Sequence, residues 1–140
     1  MNRGRIIMIV LISVMCIVRF GLSSIAYLQP EHLVDELGFP PANNPQMPYL
    51  VRVWAIRDMV LSGLVIYFLL RRNVIPVLIA CIIIDASDML AAHLGYMASL
   101  FDAVQTWTLK LTAIAALVPE GIALLLFLYY QRNRKPIRAS

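Results

Sequence analysis

Four long apolar stretches, Ile6 to Leu28, Val51 to Leu70, Val74 to Leu94 and Thr108 to Tyr130, use up most of this 140-residue chain. A helix needs about 20 mostly apolar residues to cross the hydrocarbon of a bilayer, and each stretch meets that length. They are too long and too evenly apolar for membrane strands, which alternate over about 10 residues. The chain is 61% hydrophobic and 14% charged, against about 45–50% and about 25% in a soluble domain. A soluble globule of this size has too little interior to hide so much apolar surface. The sequence therefore predicts an all-α polytopic membrane protein. Its architecture is an antiparallel four-helix transmembrane bundle, one membrane domain over residues 1–140, with an outer loop over 29–50.

Arg3 and Arg5 precede the first stretch, Arg71 and Arg72 separate the second from the third, and Arg132, Arg134, Lys135 and Arg138 follow the fourth. With an even number of spans these segments share a side, and Lys and Arg favour the cytoplasm. The expected placement is the inner (plasma) membrane with both termini cytoplasmic. Topology accounts for the positive charge, so no nucleic-acid partner is implied. The basic start and the apolar run that follows also have the form of a signal peptide, but Arg19 interrupts the run and the residues beyond it complete a span.

Pro30 to Gly38 reads as a short helix, with Pro in its first turn and Gly at its stop. Phe39 to Pro48 is rich in Pro and Asn and reads as an irregular lid or a passive linker. Arg71-Arg72-Asn73 is a tight turn that makes the second and third spans antiparallel neighbours. Tyr96, Phe101 and Trp107 suit the headgroup level. Cys16 and Cys81 lie inside spans without a CxxC pairing and read as small buried hydrophobes. No metal-spaced His cluster, HExxH or haem-ligand pair is present, so no metal or other cofactor is expected.

The specific signal is the set of ionisable residues inside the spans: Arg19, Arg57, Asp58, Asp85, Asp88 and Glu120. A charge at the bilayer centre costs roughly 2.5–3.5 kcal/mol on insertion scales, so such residues face the bundle interior and pair. At 1.5 Å per residue, Arg19 lies about 20 Å from the cytoplasmic end of its helix, Asp85 and Asp88 about 17 and 21 Å from theirs. Glu120 is near the middle of its span, and Arg57 and Asp58 lie about 10 Å inside the outer end. Four helices thus contribute to one layer between the midplane and the outer leaflet. Fully ionised, that layer would hold two positive and four negative charges, so two Arg–carboxylate pairs with a proton on at least one acid form a consistent set.

Helical spacing supports convergence. Asp85 and Asp88 share a face, Asp58 shares one with Ser62, and Trp54 flanks Arg57 and Asp58. Ala113, Ala116 and Ala123 line the Glu120 stripe, while Ser87, Ala91 and Gly95 form a second seam of small residues. Pro119 takes the helical donor from the Ala115 carbonyl. His93, near the outer end of the third span, is a weaker ligand-binding or proton-shuttling candidate.

Gly38-Phe39-Pro40, Pro48-Tyr49, Arg52, Arg57-Asp58 with Gly63, and Asp85 together resemble a group of small four-span membrane proteins within the DoxX-like set. The resemblance implies a four-helix bundle and no established activity.

The leading expectation is an outward-opening polar pocket for a small amphipathic or lipid-like molecule. Arg19, Arg57, Trp54 and His93 would bind it. Asp58, Asp85, Asp88 and Glu120 would bind or transfer protons, in the manner of an isomerase or cyclase. Membrane lipid and a small hydrophobic ligand are the expected partners. One alternative is a proton-coupled transporter working as a homodimer, against which stands Arg19 where small multidrug transporters carry a carboxylate. The other is a passive accessory or assembly subunit of a larger membrane complex, its charges specifying packing.

Overall fold

The computed structural model describes residues 3–39, 45–71 and 73–132, and every regular element among them is helical. Four helices are long: α1 (Arg3–Leu28), α3 (Met47–Leu70), α4 (Ile75–Met97) and α5 (Ala103–Arg132). Each carries a stretch apolar enough to cross a membrane. The short α2 (Pro30–Glu36) lies between α1 and α3. Isoleucines, leucines and valines are exposed along all four long helices, as in Ile17, Val60, Ile83 and Leu125. In water that surface would be unsustainable, whereas lipid tails solvate it.

The helix ends differ from the sequence expectation for local reasons. α3 starts at Met47 rather than at 51, because Pro48 sits in its first turn, where a missing N–H removes no helical bond. α5 starts at Ala103 rather than at 108. Asp102 Oδ1 accepts from the Gln105 N–H at 2.7 Å, and Gln105 Oε1 accepts from the Asp102 N–H at 3.0 Å. This reciprocal capping box satisfies two otherwise orphaned donors and extends the helix by more than a turn.

Two tight stops share one geometry. After α2, Gly38 adopts φ +81°, with Gly38 N–H donating to Asp35 O and Phe39 N–H to Val34 O. After α4, Ser99 takes the same left-handed conformation at φ 57°, with Ser99 N–H donating to Tyr96 O and Leu100 N–H to Gly95 O. Both are Schellman stops. Pro40, Pro41, Asn43 and Asn44 of the expected lid lie outside the described residues, as do Arg72, Arg134, Lys135 and Arg138.

The long helices form a ring in the order α1, α3, α4, α5. α1 packs mainly on α3 and α4 mainly on α5, while α1 meets α5 along a shorter length. The α3–α4 pair, expected to be close neighbours because of their tight connection, makes the sparsest approach of the four. The turn joins them at the Arg71 end, but their best-fitting faces are turned to α1 and α5.

Two apolar clusters fill the ring. One holds Met8, Ile12, Cys16, Leu61, Val65, Leu78, Cys81 and Ala123 toward the Arg71 end. The other, toward α2, holds Ala26, Val34, Phe39, Met47, Val51 and Ala55, with Trp54, Phe101 and Leu109 against it. Phe101, expected at the headgroup level, instead packs edge-on against Phe39 with ring centroids 5.4 Å apart. The chain positions between these clusters belong to the charged residues.

Candidate functional site

Each long helix buries one stripe at the i, i+3, i+4 spacing of an inward face. On α1 it runs Met8, Ile12, Cys16, Arg19, Ser23, Ala26, and on α3 Val51, Ala55, Asp58, Ser62, Val65. On α4 it runs Leu78, Cys81, Asp85, Asp88, Ala92, and on α5 Ala113, Ala116, Glu120, Ala123. Asp85 and Glu120 therefore take core positions, Arg19 lies close to them, and Asp58 and Asp88 extend the stripes toward a more open side.

Arg19 is the hub. Its Nη2 donates to Asp58 Oδ1 at 3.1 Å and to Asp85 Oδ1 at 3.0 Å. Its Nη1 donates to Glu120 Oε1 and, at 3.4 Å, to Asp85 Oδ2. One guanidinium thus joins carboxyls from the three other long helices, including α4 across the diagonal of the ring. Asp58 Oδ1 also accepts from Arg57 Nε at 3.2 Å. Arg57 then reaches Asp88, with Nη1 to Oδ1 at 3.0 Å and Nη2 to Oδ2 at 2.7 Å. The expected two separate pairs are one connected network, in which Arg19 serves three acids and Arg57 two.

The network is graded. Side-chain exposure rises from 0% at Glu120 and 3% at Asp85 through 10% at Arg19 and 25% at Asp58 to 30% at Arg57 and 38% at Asp88. Its open end lies at the sparse α3–α4 seam. Ser62 bonds the backbone carbonyl of Asp58 at 2.8 Å and leaves the carboxylate alone. Among the described residues, two polar atoms at the closed end are buried without a hydrogen-bond partner, Arg19 Nε and Glu120 Oε2. In low dielectric an unmade bond of this kind costs about 1–3 kcal/mol or more, so each requires an account.

All six intramembrane charges come together, whereas Trp54 and His93 do not join them. Trp54 is half-buried against the apolar cluster near α2. His93 is exposed, with Nδ1 3.4 Å from Lys110 Nζ. Of the Ser87, Ala91, Gly95 seam, only Gly95 is buried, where a Cβ would collide with the Phe101 ring. Cys16 and Cys81 are free, buried thiols in the other cluster. Two open clefts lie near the α4–α5 connection. One of about 460 Å³ is lined by Tyr96 to Asp102 residues including Ser99 and Phe101, and one of about 240 Å³ by His93, Tyr96, Thr106, Trp107 and Lys110. Neither is the pocket expected at the charges. Among the described residues, no three His, Cys, Asp or Glu side chains are grouped to hold a metal ion.

Sequence reasoning did not single out Gln105, whose Nε2 also donates to Gly38 O at 2.7 Å and ties α5 to the end of α2. The Asp102-x-x-Gln105 spacing was the available signal. No family model, curated protein or solved structure matches the chain.

Proposed function

We propose that this chain is an integral membrane protein that binds a small amphipathic or lipid-like molecule and exchanges a proton with it at the Glu120–Asp85 end of the network. The observation that carries this reading is Glu120 Oε2, an oxygen without a hydrogen-bond partner among the described residues, on a side chain with 0% exposure. A network that only fixed helix register would gain by satisfying that atom. A ligand hydroxyl or other proton donor would satisfy it, and Asp85, on the same guanidinium, would share the proton. Arg19 would hold the negative charge that remains. Such a pair suits acid–base chemistry of the isomerase or cyclase kind.

The graded exposure toward Asp88 and the sparse α3–α4 seam support entry from the side, out of the lipid. The same proposal includes membership of the DoxX-like set and an inner-membrane placement with cytoplasmic termini.

Near-complete pairing of Arg57 favours a second reading, an accessory subunit whose charges specify packing. Native mass spectrometry of the protein released from lipid nanodiscs separates the two. A small-molecule adduct on the wild type, absent from a folded Glu120→Gln variant, is the expected result. A bare wild type, with Glu120→Gln and Asp85→Asn changing only the folded yield, would establish the accessory role instead.

A further inference from the structure

Away from the charged layer, Lys110 points into the roughly 240 Å³ cleft between α4 and α5 with His93, Tyr96, Thr106 and Trp107 around it. Among the described residues its one polar partner is His93 Nδ1 at 3.4 Å, and it pairs with no acid. The nearest acid in sequence, Asp102, is engaged by the Gln105 backbone N–H, and the Thr106 hydroxyl donates to the Asp102 carbonyl. An ammonium that donates to Nδ1 fixes the neutral ring with its proton on Nε2. The cleft therefore sets an ammonium and an imidazole N–H, both donors, beside the hydroxyls of Tyr96 and Thr106, with no carboxylate among its described lining residues.

Trp107 is 60% exposed and Tyr96 46%, close to the ends of α5 and α4. Aromatic residues in that position belong at the level of the lipid headgroups. Lys110 lies about 10 Å into α5, a depth from which its stem reaches back to the interface.

We infer that this cleft is a binding site for the phosphate of an anionic phospholipid, held by Lys110 and His93, with the acyl chains against Trp107. The inference is independent of the proposed proton chemistry, since it shares no residue with the Arg19 network.

The test uses the full chain in nanodiscs, with Trp54→Phe so that Trp107 alone fluoresces. Brominated phosphatidylglycerol should quench Trp107 about fivefold more effectively than brominated phosphatidylcholine, the ratio that one lysine near a charged surface provides. Lys110→Gln should bring the ratio close to one and Lys110→Arg should preserve it. Inorganic phosphate added to phosphatidylcholine discs should leave the emission unchanged. Equal quenching by both lipids overturns the inference. So does an equal loss of preference in Arg52→Gln, which would mark general surface charge. A response to inorganic phosphate alone would assign the site to a soluble anion and overturn the lipid.

Discussion

Arg57 spans the seam between α3 and α4 with both arms of its guanidinium on Asp88, at 3.0 and 2.7 Å. Backbone packing contributes least at that seam, so this ion pair replaces it. Arg57→Gln and Asp88→Asn should each cost about 1–2 kcal/mol, between the values for an exposed pair and a charged hydrogen bond. The double variant should cost less than the two singles together. Cys16 and Cys81 are each 1% exposed, so a thiol-reactive fluorophore that labels them only on unfolding reads these stabilities. Strict additivity would mean that the pair does not act across the seam.

Removing the hub has a larger effect. Arg19→Met strands the buried Asp85 and Glu120 carboxyls, while Asp58 keeps Arg57, and should destabilise by about 3–5 kcal/mol. Adding Glu120→Gln and Asp85→Asn to that variant should recover a substantial part of the loss. The same labelling assay decides it, and no recovery would mean that packing of the arginine stem, rather than charge, dominates.

Ser99 holds a left-handed conformation that glycine adopts without steric penalty. Ser99→Gly should raise stability by up to about 1 kcal/mol, and Gly38→Ala should lower it by about the same amount. Unfolding midpoints moving the other way would contradict the two Schellman stops.

A methyl group at Gly95 would be driven into the ring of Phe101. Gly95→Ala should therefore cost about 1–3 kcal/mol through overpacking. In a Phe101→Leu background the same substitution should be nearly silent. An undiminished penalty there would place the strain elsewhere.

Gln105→Ala removes both half of the capping box and the tie to Gly38. The expected loss is about 1–2 kcal/mol. Hydrogen exchange should accelerate at Asp102 and around Gly38 together, and exchange confined to α5 would show that the tie to α2 is unimportant.

How much of this was readable beforehand depended on the interaction range. Hydropathy over some twenty residues carries the spans, and the one-dimensional depth of Arg19, Asp58, Asp85 and Glu120 correctly gathers them into one layer. Which acid each arginine takes depends on helix rotation and ring order, which the sequence encodes only through many weak packing preferences. Arg19 consequently serves three helices where two simple pairs were expected. Trp54 shares the face of Arg57 and Asp58 but lies one turn away, against the apolar cluster near α2, while His93 is turned to the exposed side of α4. The early start of α5 was legible in Asp102 and Gln105, since capping is local, but hydropathy is blind to it.

The charged layer has a dry cluster above it, sealed by Val34 and Phe39 at 0% and 1% exposure, and another below it around Ile12 and Leu78. Electrically these are two insulators in series. Reconstituted protein should leave a bilayer free of added conductance, and a proton reaching Glu120 through the α3–α4 seam would move parallel to the membrane plane, at right angles to the transmembrane field. Loading of this site would then be nearly independent of voltage.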